Sequence, residues 1–263
     1  MSIKRLASCR LQLGHGPLIA TAVHDGHDIR PDLRPYIALS ESGRYREEDP
    51  FTGIWAEVAP SRVIALRSRF EVDLNRPRES AIYRTPEDCW GLALYAQQPP
   101  EVLLERSLAE YDEFYDTMHE FLSNVVREHG RFVVFDLHSY NHRRAGPRGP
   151  QADPMHNPQV NVGTESIDRD RWGGVVDAFC ESLRAADFPG GRLDVRENVK
   201  FKGGNWSRWV NKNFPNEGVA IAIEFKKFFM DEWTGLPDWN LISAVSTALK
   251  ATIDPVLGAL ERA

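Results

Sequence analysis

Short apolar segments rich in strand-forming residues alternate with long amphipathic segments along this chain, and this alternation constrains its fold more than any other feature. Residues 17–23, 62–66, 132–137 and 218–225 predict buried strands. Over residues 101–129 apolar side chains recur every three or four positions and Gly130 follows, which predicts a long amphipathic helix. Residues 170–186 and 239–260 predict two more helices, the second bent near Pro255.

Strands separated by long helices predict an α/β sandwich. The chain has 263 residues, and it contains no internal repeat and no low-complexity linker. We therefore expect a single domain over residues 1–263.

The charge balance and the cysteines exclude several classes of protein. With 32 basic and 38 acidic residues the net charge is −6 at pH 7, which argues against binding to nucleic acid or to an anionic membrane and favours a small polar substrate. The three cysteines are far apart and form no C-x-x-C pair, so neither a disulfide framework nor a thiolate zinc site is indicated. The chain shows no signal-like segment and no run of eighteen apolar residues, so we expect a cytoplasmic protein, whose oligomeric state the sequence leaves open.

Two long turn-rich segments, residues 38–60 and 141–159, do not fit the alternation of strands and helices. Loops of this length are usually functional or mobile. Both follow strands that end in histidine, and in open α/β sheets the loops beyond the carboxyl ends of strands form the ligand crevice. We expect the ligand site of this protein between them.

Two histidines, His24 and His138, stand where predicted strands end. Neighbouring strands could bring both imidazoles to one zinc ion, since imidazole is a common zinc ligand. Taken singly, a histidine at a strand end is more often a capping or hydrogen-bonding group. The shared metal site therefore needs support from a further residue.

A carboxylate in an apolar strand gives that support. Glu224 lies in the run VAIAIEF, where an unpaired charge would cost several kcal/mol. As a general base it would take a proton from a metal-activated water and deliver it to a leaving amine. A salt bridge to Lys226, to Lys227 or to an arginine would compensate the charge equally well.

Two groups of basic and amide residues could hold an anionic substrate. In SRFEVDLNRPR, Asn75 and Arg76 suit a carboxylate, because arginine binds it through two hydrogen bonds and asparagine adds a donor. In FKGGNWSRW, Lys202 and Arg208 flank two glycines that allow close backbone approach. The alternatives are a surface charge cluster in the first segment and a tight turn with incidental charge in the second.

The order of these segments resembles a known family. VHDGHDIRP, SRFEVDLNR, DLHSY, NVGT, FKGGNWSRW and AIAIEF are similar to the N-formylglutamate amidohydrolase family over roughly residues 18–230. The same order is similar to that of the M14-type zinc carboxypeptidases and of succinylglutamate desuccinylase. VDLNR and DLHSY are fairly specific together, although each alone is commonplace. The resemblance implies a three-layer α/β sandwich with a mixed, mostly parallel sheet flanked by helices, as in the zinc carboxypeptidases.

The resemblance also implies residue roles and one zinc ion as cofactor. The third zinc ligand departs from the carboxypeptidase pattern, because His27 stands where that pattern has a glutamate three residues after the first histidine. The amidohydrolases have an acidic residue some twenty-five positions downstream, which is Asp49 here. We favour Asp49 over His27, with Glu48 as a third option. The other implied roles are zinc ligands at His24 and His138, the catalytic base at Glu224, carbonyl polarisation at Arg69, and a carboxylate clamp at Asn75 and Arg76.

Together these expectations describe zinc-dependent hydrolysis of the amide of a small N-acyl amino acid, most simply N-formyl-glutamate. Two alternatives stay open. A metallocarboxypeptidase acting on a peptide C-terminus would use the same clamp and metal. A non-catalytic binding protein on the same fold is the other, because His27 is unusual at its position.

Overall fold

Residues 2–263, which the computed structural model describes, contain one sheet of eight strands. In chain order the strands are β1 (Ser2–Arg5), β2 (Cys9–Leu13), β3 (Leu18–Ala22), β4 (Ser61–Ala65), β5 (Phe132–Tyr140), β6 (Val160–Gly163), β7 (Val195–Glu197) and β8 (Gly218–Lys226). Across the sheet the order is β1-β2-β4-β3-β5-β8-β6-β7. The single domain stays a prediction, and its first residue lies outside the described residues.

Parallel pairing dominates the centre of the sheet. The strands β4, β3, β5 and β8 run parallel to one another. At one edge β2 pairs antiparallel with β4 and with β1, and at the other β6 pairs antiparallel with β8 and parallel with β7. The predicted mixed, mostly parallel sheet is confirmed, and the carboxyl ends of the four central strands lie along one edge.

Helices cover both faces of this sheet. In chain order they are α1 (Glu41–Glu47), α2 (Thr52–Trp55), α3 (Glu101–His129), α4 (Arg169–Ala185), α5 (Asn205–Asn213), α6 (Trp239–Ala251) and α7 (Ile253–Arg262). One face carries an apolar cluster in which alternate strand residues such as Val133 and Phe135 pack against α4, α6 and α7. The other face packs Phe132 and Val134 against α3 and α5. Successive strand residues point to opposite faces, so a run buried on both sides gives the predicted three layers.

The long helix α3 has the bounds that its apolar pattern predicts. Its buried stripe includes Leu104, Tyr111, Met118 and Leu122, spaced by four or seven residues. Gly130 ends the helix with a φ of 74°, and its N–H donates to the carbonyl of Val126. A glycine adopts this left-handed conformation without the strain that a Cβ would cause.

The predicted C-terminal helix, expected to bend near Pro255, is divided into two helices at Thr252, three residues before that proline. Helix α6 ends at Ala251, and α7 begins at Ile253 after Thr252. A proline ring clashes with the carbonyl four residues earlier and has no N–H to donate. Pro255 is therefore accommodated in the first turn of a new helix, and the interruption lies before it.

Residues 38–60 were expected to form a loop, and here the expectation is wrong in part. They contain α1, α2 and a 3₁₀ turn, Ala56–Val58. Ser40 caps α1 by accepting a hydrogen bond from the N–H of Gly43. Helices of four and seven residues are too short to show a period of 3.6 in their apolar residues. Five other short elements, of three to nine residues, were also not predicted from sequence: β1, β2, β6, β7 and α5. Residues 141–159 contain no helix or strand, as expected.

The stretch Trp239–Arg262 is long and apolar enough to cross a membrane by length and composition alone. In this fold it forms α6 and α7, and Ile242, Val245, Leu249 and Val256 pack into the core of the sheet. A core helix passes the same test, so the stretch is weak evidence for a membrane span.

Candidate active site

A cavity of about 410 Å³ opens at the sheet edge where β3, β5 and β8 end. Both long segments contribute to it, residues 38–60 through Glu47 and Asp49, and residues 141–159 through Asn141 and Arg144. The ligand crevice expected between those segments is therefore present. We call His24, Asp49, His138 and Glu224 the floor of the cavity, and Trp90, Arg144, Lys200 and Lys202 its rim.

Strand register brings the floor residues together. His138 is paired directly with Glu224 across β5 and β8. Side chains two residues apart share a face of a strand, so His138 and Asp136 lie on the same side as Val134. His24 follows β3, which is the other neighbour of β5. Parallel strands end at the same edge, and the residues at their ends therefore meet.

His24, Asp49 and His138 form a group of three buried metal-type donors. The Nδ1 atoms of His24 and His138 lie 3.3 Å and 3.1 Å from the same carboxylate oxygen, Oδ2 of Asp49. One ligand atom of each residue lies within 4.8 Å of those of the other two. Imidazole nitrogens and a carboxylate oxygen are ligands that zinc favours, so this trio can hold a metal ion.

Two further carboxylates hold the opposite nitrogens of the rings. Oδ1 of Asp73 lies 2.7 Å from Nε2 of His24, and Oδ1 of Asp136 lies 3.1 Å from Nε2 of His138. Both aspartates are fully buried. A histidine that donates its second N–H to a carboxylate is fixed in orientation and becomes a more basic metal ligand. Both residues lie in the motifs VDLNR and DLHSY, where sequence alone suggested no role for them; the available signal was the spacing of two between Asp136 and His138.

The electrostatics of the trio favour positive charge between its members. Burial alone would raise the pKa of Asp49, but hydrogen bonds with His138 and His24 outweigh it and hold that pKa below its usual range. Burial alone would lower the pKa of His138, but the carboxylates of Asp136 and Asp49 hold it well above its usual value. A proton or a metal cation satisfies the same arrangement of donors.

Asp49 reaches the histidines from the connection between α1 and α2, and a buried lysine holds that connection in place. The Nζ of Lys227 donates to the carbonyls of Arg46 and Glu48, at 2.5 Å and 2.7 Å. Burial lowers the pKa of Lys227 to about 8. The N–H of Asp49 donates to the carbonyl of His24 at 2.9 Å. From sequence, Lys227 is expected only as a partner of Glu224, and no local pattern indicates this positioning contact.

Glu224 has no ion-pair partner among residues 2–263. Lys226 and Lys227, the partners considered from sequence, donate instead to backbone carbonyls. Burial raises the pKa of Glu224 to about 7, where His138 opposes and Asp49 reinforces the effect. A carboxylate with a pKa near neutrality beside a metal-type cluster suits proton transfer at physiological pH.

Arg69 and Asn75 line the cavity, whereas Arg76 does not. Arg69 donates to Asp73 at 2.8 Å, and its guanidinium carbon lies 4.9 Å from the ring centroid of Trp90. The guanidinium of Arg76 lies over the ring of Tyr83, at 4.4 Å. In this conformation Asn75 faces the cavity, whereas Arg76, the other member of the predicted clamp, packs on Tyr83.

Asn75 is held against the start of α5 by close backbone approach. Its side-chain oxygen accepts from the N–H of Trp206 at 2.9 Å, and its amide nitrogen lies 3.3 Å from Nε2 of His138. A Cβ on Gly204 would meet the side-chain amide of Asn75 at 2.2 Å, so only glycine fits there. The glycines of FKGGNWSRW were expected to let the backbone approach an anionic ligand; in the structure Gly204 admits the side chain of Asn75.

The remaining predicted residues lie apart from the trio. Lys202 lines the cavity, but its Nζ donates to Glu165 at 2.7 Å. Arg208 also pairs with Glu165, at 3.2 Å, and does not line the cavity. Nδ1 of His27 lies 2.6 Å from Glu48, so the two other options for the third ligand contact each other and not His24 or His138.

The charge around the floor fits a divalent cation. Four carboxylates lie there, those of Asp49, Asp73, Asp136 and Glu224. The cations near them are the buried Lys227 and two partly exposed arginines, Arg69 and Arg76, which both pair with Asp73. A divalent cation among the trio would supply the missing positive charge. Two histidines and a carboxylate that face an open cavity also match the donor set of catalytic zinc sites, so the residues present fit zinc.

Known proteins resemble this chain in sequence pattern and in fold. The family model of N-formylglutamate amidohydrolase matches residues 16–230. The structure is similar to N-formylglutamate amidohydrolase from Ralstonia eutropha, with a TM-score of 0.75, 16% identity, and coverage of 98% of this chain and 99% of that one. It is similar to a protein from Agrobacterium tumefaciens with a TM-score of 0.68, 17% identity, and coverage of 97% and 96%. A metallo-carboxypeptidase from Burkholderia cenocepacia aligns with a TM-score of 0.40, 16% identity, and coverage of 95% and 60%.

No curated protein sequence matches the chain. The two higher TM-scores confirm the fold that the resemblance implies, since both alignments extend over nearly the whole of each chain. The family model covers most of this chain, including every residue of the cavity floor. The chain therefore belongs to the N-formylglutamate amidohydrolase family and is a hydrolase.

Proposed function

We propose that this protein is a zinc-dependent amidohydrolase that cleaves the amide of a small N-acyl amino acid, most simply N-formyl-L-glutamate. One observation carries the proposal: the buried trio His24, Asp49 and His138 lies directly beside Glu224, which has no ion-pair partner in residues 2–263. One zinc ion would be held by the trio, with Asp49 and not His27 as the third ligand. The cytoplasmic location and the lack of nucleic-acid and membrane partners stay predictions.

When bound at the trio, zinc would act as a Lewis acid toward the scissile carbonyl and would make a water molecule more acidic. Glu224 is the proton carrier in this proposal. It accepts the proton of the attacking water and delivers it to the nitrogen of the leaving amino acid. Burial raises the pKa of Glu224 above that of an ordinary glutamate, which makes it a stronger acceptor for the proton of the water.

Arg69 is the proposed donor to the oxygen of the scissile carbonyl. Its guanidinium is fixed by Asp73 and Tyr83, so it needs little rearrangement when negative charge develops in the transition state. Asn75 and Arg76 are the proposed clamp for the α-carboxylate of the substrate. Arg76 must turn from the ring of Tyr83 toward the cavity to take part.

The test is release of free amine from N-formyl, N-acetyl and N-succinyl amino acids and from short peptides with a free C-terminus. Each substrate is assayed with the purified enzyme, after chelation, and after zinc is added back. We expect turnover of an acyl amino acid that chelation abolishes and zinc restores.

Turnover of peptides with no turnover of acyl amino acids would replace the proposal by the carboxypeptidase alternative. A protein that binds zinc stoichiometrically yet hydrolyses neither class would contradict both, and a protein that retains no metal would favour the binding-protein alternative.

A further inference from the structure

The cationic side chains around the cavity differ in whether a carboxylate of the protein already pairs with them. Three have a carboxylate partner within residues 2–263, and that partner neutralises them before any substrate binds. The pairs are Arg69 with Asp73 at 2.8 Å, Arg144 with Glu47 at 3.1 Å, and Lys202 with Glu165 at 2.7 Å.

Lys200 is different. It lines the same cavity, and its Nζ donates to a neutral atom, Oδ1 of Asn157, at 2.6 Å. Within residues 2–263 it forms no ion pair with a carboxylate. Lys227 also lacks one, but its Nζ is committed to two backbone carbonyls that position the connection before Asp49. Lys200 is therefore an exposed cation of the rim whose charge no carboxylate of the described residues compensates.

The surroundings of Lys200 hold its charge at the cavity. Its Nζ lies 5.3 Å from the ring centroid of Tyr140 and 5.7 Å from that of Phe201, so aromatic faces flank it. Partial burial and the nearby charge of Arg144 lower the pKa of Lys200, while Glu224 opposes them. An anion placed here would gain from a cation that is partly desolvated and otherwise unpaired.

We infer that Lys200 is a specificity-determining residue that binds a second anionic group of the substrate, beyond the α-carboxylate. This inference rests on the proposed function. The sequence suggests instead that Lys202 and Arg208 hold the anion, but both of these residues form ion pairs with Glu165. The second anion belongs either to the side chain of the amino acid or to the end of the acyl chain.

The experiment measures kcat/KM on pairs of substrates that differ only in that charge. N-formyl-L-glutamate is compared with N-formyl-L-glutamine for the side chain, and N-succinyl-L-glutamine with N-succinamoyl-L-glutamine for the acyl chain. We expect the wild type to prefer the charged member of one pair, and Lys200→Met to lose about 10- to 100-fold on that member, chiefly through KM. The neutral member should change by less than about threefold. Lys212→Met, at an exposed lysine on α5 away from the cavity, is the matched control.

A second variant tests the same inference with Lys200 in place. Asn157→Asp puts a carboxylate beside its Nζ and gives it an internal partner like those of its neighbours. We expect this variant to weaken the charged substrate as Lys200→Met does, and to leave the neutral one nearly unchanged.

The outcomes separate this inference from the function on which it rests. If the wild type hydrolyses neither member of either pair, both fail. If it hydrolyses them but Lys200→Met loses equally on charged and neutral substrates, or Lys202→Met takes the larger charge-dependent loss, the specificity role is overturned while the amidohydrolase proposal stands. Equal rates on charged and neutral substrates in the wild type would overturn it as well.

Discussion

The floor and the rim of the cavity are built in different ways. Each buried histidine of the floor is held by a second buried group, His24 by Asp73 and His138 by Asp136. The rim side chains come from connections between elements and are themselves exposed, as Lys202 is beside Glu165. The floor side chains are therefore shielded from water together with their partners, whereas the rim side chains face the solvent.

This difference teaches where chemistry and selectivity are encoded. Buried polar groups must be paired, so a change at the floor leaves a partner unsatisfied and is costly. Exposed ion pairs contribute little because water and salt screen them. We expect substitutions at the floor to abolish turnover or metal binding, and substitutions at the rim to change which substrate is preferred.

The largest effect should come from Glu224→Gln at the floor. The variant keeps the size of the side chain but cannot accept the proton, so kcat should fall by about 100- to 10,000-fold with metal content unchanged. Steady-state kinetics on the best substrate measures this, with Glu120→Gln on the exposed surface of α3 as the control. A loss of less than about tenfold would remove Glu224 from the mechanism and with it the contrast between floor and rim.

Glu71, just outside the floor, and Asp73 are both buried beside arginines, yet their pKa values shift in opposite directions. Burial raises the pKa of Glu71 from 4.5 to about 7, although a hydrogen bond from the backbone N–H of Arg30 and the charge of Arg67 oppose this effect. Two residues on, the charges of Arg69 and His24 outweigh burial and hold the pKa of Asp73 well below its usual range. Because the folded-state pKa of Glu71 is the higher one, the folded state binds the proton more tightly. The stability that this group contributes is present below pH 4.5 and is lost as the pH rises to about 7.

The measurement is the free energy of unfolding by urea from pH 4.5 to pH 8, for the wild type and Glu71→Gln. Glutamine has no proton to lose, so the wild type should lose about 3 kcal/mol relative to the variant across this range. Parallel pH profiles would show that the pairing with Arg30 compensates the charge fully.

Asp73→Asn tests whether the floor depends on the groups behind its ligands. Asparagine leaves His24 without its carboxylate, so zinc affinity should fall by about 10- to 100-fold. A competition titration with a chelating dye measures the affinity, and activity should recover at high zinc concentration because the ligands themselves remain. Unchanged affinity, or activity that no zinc concentration restores, would show that Asp73 acts in another way.

The smallest effect is expected for His27→Ala. His27 contacts Glu48 and lies outside the trio, with 40% of its side chain exposed. Zinc content should stay unchanged and kcat/KM should change by less than about threefold, while Asp49→Ala should lose the metal. The reverse result, metal lost from the first variant and kept by the second, would make His27 the third ligand.

Parts of this site were predictable because their signals are local in sequence. His24 and His138 stand at the ends of apolar strands, and Glu224 is a charge in an apolar run, so each residue stands out within its own segment. The fold class was predictable for the same reason. The periodic apolar residues of α3 and the apolar runs of β3, β5 and β8 each lie within one continuous segment of the chain. The fold was also implied by a resemblance in the order of the motifs.

Other parts were not predictable, because they depend on contacts between distant segments. Lys227 lies three residues after Glu224 in sequence, yet its partners are carbonyls near residue 47. Lys200 and Lys202 look alike in sequence, and only the position of Glu165 distinguishes them. Which charged side chains pair depends on their distance in the folded protein, and the periodicity of the sequence does not indicate that distance.

By itself, the sequence of this protein determined the alternation of strands and helices, the strand-end histidines and the glutamate within an apolar run, because burial and periodicity act on neighbouring residues. Only the tertiary structure decided that Asp49 joins the two histidines while His27 turns to Glu48, and that Lys200 faces the cavity without a carboxylate. The physical reason is that a metal site and a substrate pocket are sets of distances between elements, and those distances exist only after the sheet, its register and its connecting loops have formed.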